Sequence, residues 1–152
     1  MNKRVGEIIK FHYLKSNFIF SNRTRLKSFI ITLIKKEGCS IEFINYIFCS
    51  DDYLIRLNRN YLNHDTYTDI ITFQFSVPPL KINSEIYISI DRVRDNAHSF
   101  NTSFEKELHR VIFHGALHLC GHKDKAKGEK AKMRTLEEKY LNQYFISRET
   151  LR

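Results

Sequence analysis

Residues 114–124 read HGALHLCGHKD, and this stretch constrains the fold of the chain more than any other. His114 and His118 are four residues apart, so on a helix they lie one turn apart on the same face and can direct two imidazole nitrogens at one point. Gly121 follows, and a glycine in a left-handed conformation ends a helix and reverses the chain sharply. The stretch therefore predicts a helix that carries two metal-binding histidines and ends in a tight turn. The alternative for the pair is two packed or surface histidines.

Two residues beyond the turn compete for the third ligand position. In a continuous helix, His114, His118 and His122 would form a row about 12 Å long, too long for one ion with bonds of about 2 Å. The turn at Gly121 breaks this row and offers either His122 or Asp124. We favour Asp124, because its distance from His118 matches that of the last ligand in the longer zinc-protease pattern. Three such ligands with an open fourth position are typical of a catalytic site, and their types favour Zn²⁺, although other first-row metals fit too.

Hydrophobic patterns along the chain predict an α+β fold in one domain, residues 1–152. Composition and alternation are typical of strands over 7–14, 40–50, 68–76 and 84–90. Apolar residues recur at helical spacing over 23–38, 51–63, 91–100, 103–120 and 128–145. We expect a compact domain with a mixed β-sheet of about four strands packed with helices. The metal site should lie at the end of the helix over 103–120.

Helix ends and buried faces can also be predicted. Asp51 and Asp91 are the expected N-caps of the helices that they begin. The final helix is expected to expose its charges and to bury one apolar side, made of Met133, Leu136, Tyr140 and Tyr144.

Composition narrows the class of protein and its compartment. The three cysteines are widely spaced and form no CxxC pair, so neither a disulfide framework nor a cysteine-type zinc finger is supported. No apolar run is long enough to span a bilayer and no signal peptide is recognised, which favours the cytoplasm. Lys and Arg outnumber Asp and Glu by 25 to 17, giving a net charge of +8. That charge favours polyanionic partners such as RNA, or else serves solubility alone.

Three segments resemble those of a known family, and their order and spacing along the chain, from about 57 to 124, agree with it as well. HGALHLCGHKD is similar to the H-G-x-L-H-L-x-G-Y-D-H signature of the YbeY-type bacterial endoribonucleases, which mature ribosomal RNA. LNRNYLNHDTYTDIITFQF (57–75) resembles the family's L-N-x-x-[YF]-R-x-x-D-x-P-T-D-V-L-S-F block, and SEIYIS (84–89) resembles its G-D-I-x-I-S strand. The resemblance implies a compact α+β sandwich that binds one metal ion, usually zinc, and cuts single-stranded RNA.

The resemblance also implies roles for individual residues. His114 and His118 become the first and second metal ligands, and the third position falls on Asp124, where the signature has histidine. A carboxylate oxygen also binds zinc, so this departure keeps a metal-binding residue type.

A weightier departure is Leu62, which stands where the family block has an arginine thought to be important for activity. The change removes a cation that can hold a phosphate. Either activity is altered, or another cation supplies the charge, the candidates being Arg59, Lys123 and Arg110.

The resulting hypothesis is metal-assisted cleavage of RNA phosphodiester bonds in ribosomal RNA maturation and ribosome quality control. The implied partners are single-stranded ribosomal RNA and components of the small ribosomal subunit, with neither a membrane nor DNA expected. Gly115 cannot act as a base, so proton transfer would come from the metal-bound hydroxide, the RNA 2′-hydroxyl or a side chain of another segment. Asp65 and Asp69 are candidates, although Asp65 is at least as well explained by capping of the loop before a strand. Four lysines follow the motif and either steer RNA or solvate a helix: Lys123, Lys125, Lys127 and Lys130.

Two other functions remain open on the sequence. A metal-dependent peptidase shares the helix, the turn and the third ligand, but the glutamate that serves as its base is replaced by Gly115. A non-catalytic ribosome-associated factor with a structural metal is the other, and Leu62 in place of the arginine keeps it open.

Overall fold

The computed structural model describes residues 4–14, 20–62, 68–76 and 78–150, with the side chains of 147–150 excepted. In chain order the elements are α1 (Val5–Ile8), β1 (Ile9–Tyr13), α2 (Arg23–Lys36), β2 (Ile41–Cys49), α3 (Asp51–Leu62), β3 (Ile70–Ser76), β4 (Ile82–Ser89), α4 (Ile90–Ser99), α5 (Phe104–Leu119) and α6 (Lys127–Thr150). In these ranges, no helix has both the length and the apolar content that a membrane span requires.

The four strands form one mixed sheet in the order β1-β2-β4-β3. The first three run parallel, and β3 pairs with β4 in the antiparallel direction, as the short connection between them predicts. Strand β4 alternates buried and half-buried residues along most of its length, and β2 becomes continuously buried towards its end. The predicted α+β class and the mixed sheet of about four strands are confirmed.

The structure corrects the predicted helix starts. Ser50, not Asp51, caps α3, because its hydroxyl accepts a hydrogen bond from the Tyr53 amide at 3.1 Å. Ser89, not Asp91, caps α4 by accepting from the Arg92 amide at 3.0 Å. In both places a strand passes almost directly into a helix, so the cap falls one or two residues earlier than the acid. The predicted first strand over 7–14 also begins later, because its first two residues belong to α1.

Helix α5 is the central helix and is buried on several sides. It packs on the sheet through β3 and β4 and also contacts α2, α4 and α6. Gly115 faces the sheet, where a Cβ would lie 2.9 Å from Cδ1 of Ile70 and 3.2 Å from Cδ1 of Ile86. The glycine therefore allows α5 to approach the strands closely. His109 of the same helix lies among aromatic rings, those of Phe20, Phe113, Tyr144 and Phe145.

Helix α6 closes the other side of α5. Three of its four predicted core residues, Met133, Tyr140 and Tyr144, are buried, and Leu136 is partly buried, so the predicted apolar side is confirmed. The same side also buries Glu137, which is only 2% exposed. A buried carboxylate requires partners, and those of Glu137 lie at the candidate site.

Candidate metal centre

The turn after α5 positions the residues of the metal motif. Gly121 has φ of +98°, the left-handed conformation that the sequence predicts. The Gly121 amide donates to the His118 carbonyl at 3.0 Å, and the His122 amide donates to the Leu117 carbonyl at 3.2 Å. This pair of bonds is a Schellman motif, which ends the helix and turns the chain back on itself. The turn brings Asp124 to the face of α5 that carries His114.

His114 and Asp124 are in direct contact. Nε2 of His114 lies 3.2 Å from Oδ2 of Asp124. Two ligands of a tetrahedral zinc ion, each bound at about 2.0–2.1 Å, are separated by about 3.3 Å. The two side chains therefore already have the separation that a shared ion requires.

His118 lines the same cavity, whose volume is about 440 Å³. Its Nδ1 donates to the His122 carbonyl at 3.2 Å. In the neutral ring, Nε2 then carries the lone pair that can bind a metal. Within the described ranges no three His, Cys, Asp or Glu side chains are gathered closely enough to hold an ion. Metal binding here therefore requires His118 to be drawn towards the His114–Asp124 pair.

A buried acid on α6 orients His114. Nδ1 of His114 donates to Oε2 of Glu137 at 2.6 Å, and Nη1 of Arg110 donates to Oε1 of Glu137 at 2.9 Å. Arg110 also binds Glu107, with Nε to Oε1 at 2.9 Å. Burial raises the pKa of Glu137, but the hydrogen bond from His114 and the charge of Arg110 outweigh it and hold the pKa below its usual range. The carboxylate holds the His114 proton on Nδ1, which is the tautomer that can bind a metal through Nε2.

Glu137 is not predicted from the sequence patterns above, although a signal for it exists. The residue lies four after Met133, within the apolar side of α6, where an acid is out of place. Burial lowers the pKa of the His114 imidazole, but the hydrogen bond to Glu137 and the charges of Glu137, Asp124 and Asp69 outweigh it and raise the pKa above its usual value. The ring is therefore surrounded by acids, as expected where a cation binds.

Asp69 lies in the same cavity as the histidines. Its Oδ2 accepts a hydrogen bond from Nδ2 of Asn96 at 3.3 Å. Burial raises the pKa of Asp69, although the charges of Arg110 and His114 oppose the shift. Asp65, the other candidate base, lies outside the described residues.

His122, the alternative third ligand, faces a different set of residues. Its Nε2 donates to Oε1 of Glu37 at 2.7 Å, and the other oxygen of Glu37 accepts a hydrogen bond from the Tyr140 hydroxyl. The ring of His122 is not among the described side chains that line the cavity, whereas Asp124 is. The side chain of His122 thus connects the turn to the end of α2.

Two of the described cations line the cavity, and one of them, Arg110, is among the three candidates to replace the family arginine. Leu62 lines the cavity together with Arg110 and Lys125. Arg110 is bound to two buried carboxylates, whereas Lys125 is exposed. The other two candidates, Arg59 and Lys123, are not among the described lining residues.

Replacing Gly121 by alanine is expected to destabilise the protein by about 1–2 kcal/mol, because an L side chain is strained in the left-handed conformation. Thermal unfolding measures the change. The control is Gly128→Ala in the first turn of α6, where a Cβ would meet no atom within 4 Å. Equal stability of the two variants would contradict a role for the positive φ at Gly121.

The chain is similar to known proteins over most of its length. The family model described as endoribonuclease YbeY matches residues 14–145. The chain is 47% identical to an endoribonuclease YbeY of Cytophaga hutchinsonii over 136 residues, which cover 90% of this chain and 95% of that protein. It is 43% identical to an endoribonuclease YbeY of Flavobacterium psychrophilum, covering 91% of this chain and 98% of the relative. The solution structure of TM1509 from Thermotoga maritima superposes with a TM-score of 0.64 at 28% identity, covering 94% and 93% of the two chains.

Proposed function

Because the chain belongs to the endoribonuclease YbeY family, we propose that it is a metal-dependent enzyme that cuts single-stranded RNA. The proposed substrate is ribosomal RNA, processed during maturation and quality control in the cytoplasm, with small-subunit components as partners. The observation that carries the proposal is the contact between His114 and Asp124 beside His118 in one cavity. Neither a membrane nor DNA is part of this function, and residues 1–152 act as one domain.

The donor set fits zinc. Two imidazole Nε2 atoms and one carboxylate would hold Zn²⁺ and leave a position open, with His114, His118 and Asp124 as the ligands. The ion would supply charge to polarise a phosphate oxygen and lower the pKa of bound water towards about 7. The hydrogen bonds from Nδ1 of both histidines support the proposal, since they are the usual partners of metal-binding imidazoles.

Two further side chains act on the substrate in this proposal. Asp69 exchanges a proton with the reacting RNA oxygens, since it lines the same cavity as His114 and His118. Burial raises the pKa of its carboxyl group, which supports this role. Lys125 contacts a phosphate, and thus replaces the positive charge of the family arginine whose position Leu62 occupies. Glu137 does not touch the RNA and acts only by orienting His114.

The peptidase alternative is weakened by the position of Gly115. Its missing side chain would point at Ile70 and Ile86 in the sheet, so this position has no room for a glutamate base. The other alternative is a non-catalytic ribosome-associated factor with a structural metal. The experiment below distinguishes it from the proposed enzyme.

The test is cleavage of a fluorescent single-stranded RNA by the full-length protein, before and after chelation. We expect about one bound zinc ion per chain, a rate that falls about 10-fold or more on chelation, and recovery when zinc is restored. Duplex RNA and a peptide serve as comparison substrates and are expected to stay intact. A zinc-loaded protein that leaves single-stranded RNA intact would contradict the proposal, and so would a rate that chelation does not change.

A further inference from the structure

Two hollows follow one another beside the metal centre, between α5 and α6. The catalytic cavity and a hollow of about 240 Å³ share Arg110, His114 and Asp124 among their lining residues. That hollow in turn shares Arg110 and Arg134 with a further hollow of about 160 Å³, which reaches Phe100. We call this path, from His114 past Arg134 to Phe100, the α5–α6 groove.

Charges along the groove favour a polyanion. Lys130 and Arg134 lie one turn apart on α6, and Lys106 projects from α5 near the far end; all three are exposed. The acids Glu107 and Glu137, which also border the groove, are buried and bound to Arg110. Apart from Asp124 and the two acids bound to Arg110, Glu138 is the acid among the described lining residues that can offset the charge of these cations.

The far end of the groove carries an aromatic ring. Phe100, just after α4, is 59% exposed and lines the last hollow. A single exposed phenylalanine is ordinary on a protein surface, but this ring lies at the end of a cationic path. Proteins that bind single strands combine such a path, which follows the phosphates, with aromatic rings on which unpaired bases stack. A duplex keeps its bases stacked on each other and offers no free face to the ring.

We propose that the α5–α6 groove holds the single-stranded RNA on one side of the cleaved bond. Lys130 and Arg134 contact its phosphates, and Phe100 stacks on an unpaired base. The proposal rests on the function proposed above, and it assigns the substrate's path to residues that lie outside the metal centre.

The test measures binding of a fluorescent single-stranded oligoribonucleotide of about 12 nucleotides, a length comparable with other single-strand sites. The probe is checked on a gel for intactness, so that binding is read independently of cleavage. In the double variant Lys130→Gln/Arg134→Gln we expect the dissociation constant to rise about ten-fold or more. The slope of log K against log salt should become shallower by about 1.4, since each contact with a single strand contributes about 0.7.

Matched controls separate local contacts from net charge. Lys132→Gln/Lys35→Gln removes the same charge from exposed positions outside the groove. It is expected to change the dissociation constant less than about two-fold, because salt screens charges that do not contact the RNA. The swap Lys130→Arg/Arg134→Lys keeps the charge and should bind as the native protein does. If the two neutralising double variants bind RNA equally well, the phosphate contacts are refuted.

Phe100→Leu tests stacking, because leucine keeps an apolar side chain and removes the ring. Weaker binding of the single strand by about five-fold or more, with no change for a duplex, is expected. Native-like binding of the single strand would overturn the assignment of Phe100. Displacement of the RNA by polyglutamate of equal charge would overturn RNA as the occupant, in favour of an acidic protein. If the native protein binds RNA through the groove yet cuts none, the proposed function fails while the groove stands.

Discussion

Replacing His114 by alanine is expected to lower the rate of RNA cleavage by about 100-fold or more, because it removes a metal ligand that a buried acid holds in place. The fold should survive, since Glu137 keeps its 2.9 Å bond to Nη1 of Arg110 when the imidazole is lost. The cleavage rate and the zinc content of the variant should therefore fall together, while the circular dichroism spectrum stays native-like.

His98→Ala is the matched control for this loss. His98 is an exposed histidine on α4 and is not among the side chains that line the cavity. Its replacement is expected to leave the zinc content and the cleavage rate unchanged. If His114→Ala cuts RNA as fast as His98→Ala does, the metal centre is not the catalytic site.

Replacing Gly115 by valine is expected to destabilise the protein by about 3 kcal/mol, because the added atoms overpack the contact between α5 and the sheet. A Cβ alone would lie 2.9 Å from Ile70 and 3.2 Å from Ile86, closer than ordinary van der Waals contact. Gly115→Ala should lose less, since the gain of about 1 kcal/mol in helix propensity offsets part of the crowding. Chemical denaturation measures both changes.

Gly128→Val supplies the comparison, because a Cβ at Gly128 meets no atom within 4 Å. That variant should remain within about 0.5 kcal/mol of the native protein. Gly115→Glu, which restores the protease-like residue, should unfold the protein rather than create a peptidase, since it would bury an unpaired carboxylate. A stable Gly115→Glu protein would show that α5 can move away from the sheet and that the glycine is not required there.

The local parts of the site follow from the sequence, and the long-range parts do not. Helical spacing places His114 and His118 on one face, and the glycine preference for positive φ predicts the turn, because both effects act within a few residues. Glu137 is 23 residues from His114, and the Glu37 partner of His122 is 85 residues from it. Such contacts depend on how α2, α5 and α6 pack, which no local pattern encodes.

The fold shows the same division. The pattern of alternation predicts the strands, but the order β1-β2-β4-β3 depends on which strands pair. Ser50 and Ser89 cap α3 and α4 in place of the predicted acids. Serine and aspartate are comparable N-caps, so the position at which the preceding strand ends determines which residue caps the helix. In the sequence Gly115 lies on the apolar stripe of its helix and marks a missing base, and the structure shows it as the point of close approach between α5 and the sheet.

The crystal structure of the zinc-loaded protein, with the ion located by its anomalous scattering, tests the central claim most directly. We expect one ion at about 2.0–2.1 Å from Nε2 of His114, Nε2 of His118 and a carboxylate oxygen of Asp124, with one position open. His122 should keep its hydrogen bond to Glu37. An ion bound by His122 instead of Asp124, or no ion at His114, would contradict the account.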